Sequence, residues 1–139
     1  MIYKVKTPLL GFEQVTEMKF EQIDDLFVQL SSVGIEKPVN FILINPYMLR
    51  DYKVKLTQYI HDELEVEEDS QILIYNIMVS KMPIDESTVN FIAPVLFNIQ
   101  KRIMIQVILD SNAYPDYGLQ EKIAGYIEQA KQRAQSDDV

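Results

Sequence analysis

Most apolar residues of the chain recur at every second position. In "YKVKL" Tyr52, Val54 and Leu56 share one face and Lys53 and Lys55 the other, the alternation of a half-buried strand. "MKFEQI" sets Met18 and Phe20 against Lys19 and Glu21, and "LFVQL" aligns Leu26, Val28 and Leu30, which predicts antiparallel strands with one wet face. "FILI" at 41–44 and "ILIYNIMV" at 72–79 are apolar on both faces and rich in isoleucine, valine and tyrosine, as central strands are. In "TVNFIAPVLFNIQKRIMIQVIL" two apolar runs flank Gln100, Lys101 and Arg102, so a hairpin is expected although the usual glycine turn is missing. Pro94 has no amide hydrogen and belongs at an edge, a bulge or a strand boundary.

Helical spacing appears twice. Leu56, Tyr59, Ile60, Glu63 and Leu64 follow it around a cap at Thr57, predicting a short helix. From Leu119 onward, Leu119, Ile123, Ile127, Ala130 and Ala134 form a stripe that predicts an amphipathic C-terminal helix starting at Gly118. Gly125 weakens its middle by about 1 kcal/mol relative to alanine. Seven or eight short strands with these two helices predict a mainly β fold, a compact antiparallel β-barrel-like or sandwich domain. Residues 1–118 form that domain in this reading, and 119–139 a helical extension packed on it and frayed at its end. The tail stripe is short and alanine-rich at its end, which favours covering an apolar patch over competing with a partner helix for a groove.

Charge narrows the function classes. Twenty-one acidic against thirteen basic residues give a formal charge of -8, which repels phosphate backbones and argues against direct nucleic-acid binding. The same charge favours basic protein partners. With no cysteine there is no disulfide, thiolate metal site or cysteine nucleophile. "MIYKVKTPLL" lacks the apolar core of a signal peptide, and no stretch approaches the ~20 apolar residues that span a bilayer. A cytoplasmic protein with no membrane contact is expected.

"HDELEVEEDS" at 61–70 collects six carboxylates (Asp62, Glu63, Glu65, Glu67, Glu68, Asp69) and the one histidine, with no lysine or arginine. It fits neither H-E-x-x-H nor a calcium loop, so no metal and no cofactor are expected. Its simplest reading is a solvated bend between the short helix and the strand at 72, with a partner-facing surface as the second reading. Four scattered glycines disfavour a phosphate loop, and no G-x-S-x-G elbow occurs. Asn45-Pro46 signals a turn, Arg50 beside Asp51 reads as a surface pair, and Tyr47 as core or rim. Tyr114 and Tyr117 bracket a Pro-Asp turn, where they pin the tail to the sheet or serve as contact residues. Asn76 and Asn90 interrupt apolar runs and are expected as hydrogen-bonded interior amides.

"LLGFEQV", "LINPYMLRDYKVKL", "LEVEEDSQILIYNIMV" and above all "ESTVNFIAPVLFNIQKRIMIQVIL" resemble, in order and spacing, the flagellar assembly factor family, FliW. The resemblance runs from residue 1 to "YPDYG". It implies a cytoplasmic β-barrel-like protein that is not an enzyme, binds flagellin before export, and otherwise binds the RNA-binding regulator CsrA, relieving its block on flagellin translation. A monomeric adaptor is expected, with Asp62, Glu63, Glu65, Glu67, Glu68 and Asp69 giving part of an acidic partner face and Tyr47, Tyr114 and Tyr117 as further contacts. Where many relatives carry a glycine shortly before "QVIL", this chain has Ile103, Met104 and Ile105, so the hairpin geometry or an exposed strand surface should differ. The rival readings are a metal-dependent hydrolase using 62–69 and a barrel carrying a small apolar ligand.

Overall fold

The alternating stretches near the N-terminus become strands that face a common interior. The computed structural model describes residues 1–126. In it, β1 (Ile2–Thr7) buries Tyr3 and Val5 and exposes Lys4 and Lys6. It pairs antiparallel with β2 (Glu17–Gln22), which buries Met18 and Phe20. β3 (Phe27–Ser32) and β4 (Asn40–Ile44) continue the meander. β5 (Ile72–Val79) pairs along its first half with β7 (Val95–Asn98), and its second half meets β4 through Ile42–Met78, Leu43–Ile77 and Ile44–Asn76. β7 forms the expected hairpin with β8 (Ile103–Gln106), and β8 returns to β1. The ring β4-β3-β2-β1-β8-β7-β5 thus closes on itself, and of the two architectures open to the sequence the molecule takes the barrel. Closure leaves these strands no free edge along their paired lengths.

Two features depart from the sequence expectation. β1 and β8 run parallel, whereas every other pairing among the described residues is antiparallel. Outside the ring, β6 (Thr88–Val89) adds to β5, and β9 (Glu121–Lys122) adds to β6. Residues 121–122 are therefore a strand where a helix starting at 118 was expected, and helical backbone begins only at 124. The rest of the tail stripe, Ile127, Ala130 and Ala134, lies outside the described residues.

Three apolar clusters build the molecule. The barrel interior is filled by rings: Phe97 meets Tyr3 and Phe20 at centroid distances of 5.1 Å each and Tyr75 at 6.2 Å, mostly edge to face, the arrangement aromatic quadrupoles favour. A second cluster lies outside β4 and β5, where Leu49, Tyr52, Phe91 and Ile123 cover Ile44 and Met78. The third explains why β7 and β8 read as continuous apolar runs. Val95, Phe97 and Met104 face the interior, while Leu96 and Ile105 face outward beneath α1 (Gln58–Glu63), which lays Ile60 and Leu64 over them. Ile103, Met104 and Ile105 are all buried, so the missing glycine creates no exposed strand surface. Six residues are too few for a stable free helix. Burying Ile60 and Leu64, worth roughly 1.5–3 kcal/mol each, and the Thr57 cap, whose hydroxyl accepts from Ile60 N at 3.3 Å, hold α1 in place.

Candidate partner-binding face

Leu64 ends α1, and Glu65, at φ 51°, turns the chain into the acidic bend. Side-chain amides of the β7–β8 hairpin strap that bend down. Asn98, wholly buried, donates from Nδ2 to Leu64 O at 2.7 Å. Gln100 donates from Nε2 to Asp69 O at 2.9 Å and accepts from Gln71 N at 2.8 Å. The bend closes internally through Glu67 N donating to Ser70 Oγ at 2.7 Å. The acidic run is a bend between helix and strand, as expected, and these bonds tie it to the hairpin.

The six carboxylates divide by environment. Glu63 is half-buried and accepts from the Thr7 hydroxyl at 3.2 Å. Asp62 accepts from Gln58 Nε2 at 2.9 Å. Glu65 pairs with Lys6 at 3.4 Å and Glu67 with Lys101 at 3.1 Å, so a cation from β1 and one from the β7–β8 turn partly balance a run that has none locally. Glu67, chiefly through its hydrogen bond, holds the Lys101 ammonium above its usual range. Glu68 and Asp69 are exposed, and their side chains make no hydrogen bond or ion pair with the described residues. They are the carboxylates of this face that make no bond of their own, whereas Asp62 and Glu63 keep an unneutralised charge behind one neutral hydrogen bond each. Among the described residues no group of three or more His, Asp or Glu side chains stands close enough to hold a metal ion, so the hydrolase reading finds no ligand set there.

Beside α1 lies an apolar groove of about 560 Å³. Leu10, Tyr59, Ile60, Val107, Ile108 and Tyr114 are among the residues that line it, and Leu10, Tyr59 and Ile108 are more than half exposed at 60%, 53% and 61%. The groove joins the acidic bend through Thr7, whose hydroxyl contacts both Tyr59 Oη at 3.4 Å and Glu63. Of the three candidate tyrosines, Tyr114 borders this groove. Tyr117 stacks on it at 5.3 Å and on Tyr52 at 4.5 Å, and Tyr52 meets Tyr47 edge-on at 6.1 Å. The candidates are therefore linked in one aromatic row, in which Tyr47 is the exposed rim.

The rings of that row do more than fill space. "YKVKL" keeps its alternation of buried and exposed residues but joins no strand ladder. Instead Lys53 N donates to Tyr117 Oη at 2.7 Å, Lys55 N donates to Tyr114 Oη at 2.9 Å, and Tyr117 Oη donates to Lys53 O at 3.0 Å. Tyrosine hydroxyls replace a neighbouring strand. Arg50 also departs from expectation: its Nη1 reaches past Asp51 to Asp116 O at 3.2 Å, Glu121 Oε2 at 3.4 Å and Tyr126 Oη at 3.3 Å. Its guanidinium lies 4.9–5.6 Å from the ring centroids of Phe91, Tyr117 and Tyr126. A largely buried arginine clamps the C-terminal segment, and it is no surface pair.

Residues 1–123 match the family described as FliW protein. The chain belongs to the FliW family. It is 43% identical over 126 residues to flagellar assembly factor FliW 2 of Wolinella succinogenes, covering 91% of this chain and 92% of that protein. It is 40% identical over 132 residues to flagellar assembly factor FliW of Campylobacter lari, covering 94% and 100%. A crystal structure of the flagellar assembly factor FliW superposes with a TM-score of 0.77 at 25% identity, covering 88% of this chain and 84% of the other. The closed barrel is thus a FliW barrel. Within this FliW chain the groove and the Arg50 clamp are the features the sequence reading missed. The signal for the groove was the adjacent pair Leu9-Leu10, which cannot both face inward on an extended chain; Leu9 is buried and Leu10 is not. Nothing local marked Arg50, because Glu121 is 71 residues away.

Proposed function

We propose that this protein is a non-enzymatic cytoplasmic adaptor that binds flagellin before export and, when free of it, captures the RNA-binding regulator CsrA, so that flagellin translation follows export. The observation that carries this reading is membership of the FliW family over residues 1–123, with relatives named flagellar assembly factors matched along nearly their whole length. The chemistry agrees with it. A chain of formal charge -8 suits a basic regulator, and its field disfavours RNA phosphates near the bound regulator. The acidic bend, with Glu68 and Asp69 uncommitted and Asp62, Glu63, Glu65 and Glu67 behind them, is the face offered to that partner, and Tyr47, Tyr114 and Tyr117 extend it. Affinity and partner concentration decide occupancy, and no bond is broken.

Capture from cell extract with the full chain as bait, followed by mass spectrometry, tests this. Flagellin and the regulator are the expected prey, and excess flagellin should displace the regulator. Recovery of neither at low ionic strength would sink the reading.

A further inference from the structure

β1 and β8 pair only as far as Thr7 and Ile105. Beyond that point Pro8 has no amide hydrogen, Leu9 turns into the core, and Gly11, at φ 84°, sends the chain away. β8 does not stop with it. Val107 N donates to Pro94 O at 3.0 Å and Leu109 N to Ile92 O at 2.8 Å, the alternate-residue spacing of a strand. An extended chain that turns Val107 and Leu109 to one side turns the N–H and C=O of Ile108 to the other. That side is the place β1 vacates, and it opens into the apolar groove. Among the described residues no hydrogen bond engages either backbone group of Ile108. The facing wall has no such vacancy, because Lys53 N and Lys55 N are taken by tyrosine hydroxyls.

We propose that this open edge is a β-augmentation site: a partner segment in extended conformation lies in the groove as an added strand beside residues 106–110. Its backbone bonds Ile108, and its alternate side chains are apolar, against Leu10, Tyr59 and Val107. A lysine or arginine at the end near Thr7 meets Glu63, whose Oε2 takes only the Thr7 hydroxyl, with Asp62 beside it. The inference rests on reading the chain as a partner-binding adaptor and names the chemistry of what enters its groove. A docked helix fits the same volume less well, because it satisfies its own backbone and would bury the Ile108 groups without partners.

The probe is a fluorescent heptapeptide that alternates valine and threonine and carries one terminal lysine, compared with the same peptide N-methylated at alternate residues and with a stapled helical peptide of equal charge. The full chain should bind the first and neither of the others, and adding it should slow hydrogen exchange at the Ile108 amide. Ile108→Pro keeps an apolar side chain and removes the N–H, so it should weaken binding about tenfold, while Ile108→Val should not. Circular dichroism confirms that each variant is folded, and if Ile108→Pro is not, exchange on the native chain decides. Failure of the extended probe to bind, equal binding of the methylated or stapled peptide, or an Ile108 amide already protected in the free chain by its own residues 127–139 would each overturn the proposal. The two readings separate cleanly: capture of flagellin or the regulator without binding of the probe sinks only the added strand, and the converse sinks only the identity of the partners.

Discussion

Arg50 joins four segments of the chain through one guanidinium: the turn at Asp116, the edge strand at Glu121, and the rings of Phe91 and Tyr126. Charge-assisted hydrogen bonds and ring stacking act here with little water, since the arginine and Glu121 side chains are only 17% and 25% exposed. Arg50→Ala should therefore destabilise the fold by about 2 kcal/mol and leave Glu121 without its cation, held only by Gly118 N and the Tyr126 hydroxyl, and Arg50→Lys should recover less than half of that because an ammonium cannot stack or fork; urea denaturation measures both. Tyr52 gives a pH signature. Its hydroxyl donates to Phe91 O at 2.5 Å and accepts from Asn76 Nδ2 at 3.2 Å, and burial pushes its phenol far above the ordinary tyrosine range. Burial raises Tyr3, Tyr47, Tyr75 and Tyr126 as well. Unfolded tyrosines lose their protons near pH 10, so this contribution is whole below about pH 10 and falls as pH rises beyond it. Tyr52→Phe should lower stability at neutral pH by about 1 kcal/mol and flatten the alkaline fall, read from denaturation series at rising pH. At this scale the sequence marked Asn76 and Asn90 as interior amides: Asn76 is wholly buried and donates to Asn90 O, whereas Asn90 is half-buried and its side chain accepts from Ala93 N. It had no means to mark Arg50.

The β7–β8 hairpin shows what an element can hide. Its two runs were legible as strands from composition, and Pro94 stands at the strand boundary where its missing donor puts it. The turn was not legible, because Arg102, at φ 56°, takes the left-handed position usually given to glycine. A side-chain-bearing residue there costs roughly 1–2 kcal/mol, which Arg102 offsets by laying its guanidinium 5.6 Å from the Tyr3 ring centroid. Arg102→Gly and Arg102→Ala both lose that contact, and only glycine relieves the backbone. The glycine variant should be the more stable of the two by about 1 kcal/mol, a difference visible in urea midpoints at constant slope. "YKVKL" failed in the opposite sense. Its alternation correctly predicts which residues are buried, yet periodicity reports only which side faces the core, and a tyrosine hydroxyl can stand in for a partner strand. The tail diverged for a related reason: helical spacing at Leu119 and Ile123 is real, but the pairing of Glu121 and Lys122 with Thr88 and Val89 overrides local preference over those residues.

Across the whole molecule, charge and the closed barrel set what the surface offers. Glu68→Lys with Asp69→Lys reverses the two carboxylates that make no bond, so stability should change by less than about 0.5 kcal/mol. Binding of the proposed basic regulator should weaken, most strongly at low salt; titration calorimetry at two ionic strengths checks both the loss and its salt dependence. Reversal at Glu65 or Glu67 is a poorer test because each already pairs with a lysine. Among the described residues no helix is long and apolar enough to cross a membrane. The sequence by itself determined the β class, most of the strands, the short capped helix and the acidity of the bend, because periodicity, capping chemistry and charge are local properties. The tertiary structure alone decided that the sheet closes through β4 and β5, that β1 and β8 run parallel, that Lys6 and Lys101 answer the acidic run, and that β1 leaves β8 at Pro8 to open a groove. Each of those depends on groups far apart in the chain being brought within a hydrogen bond of one another, and no local pattern encodes that distance.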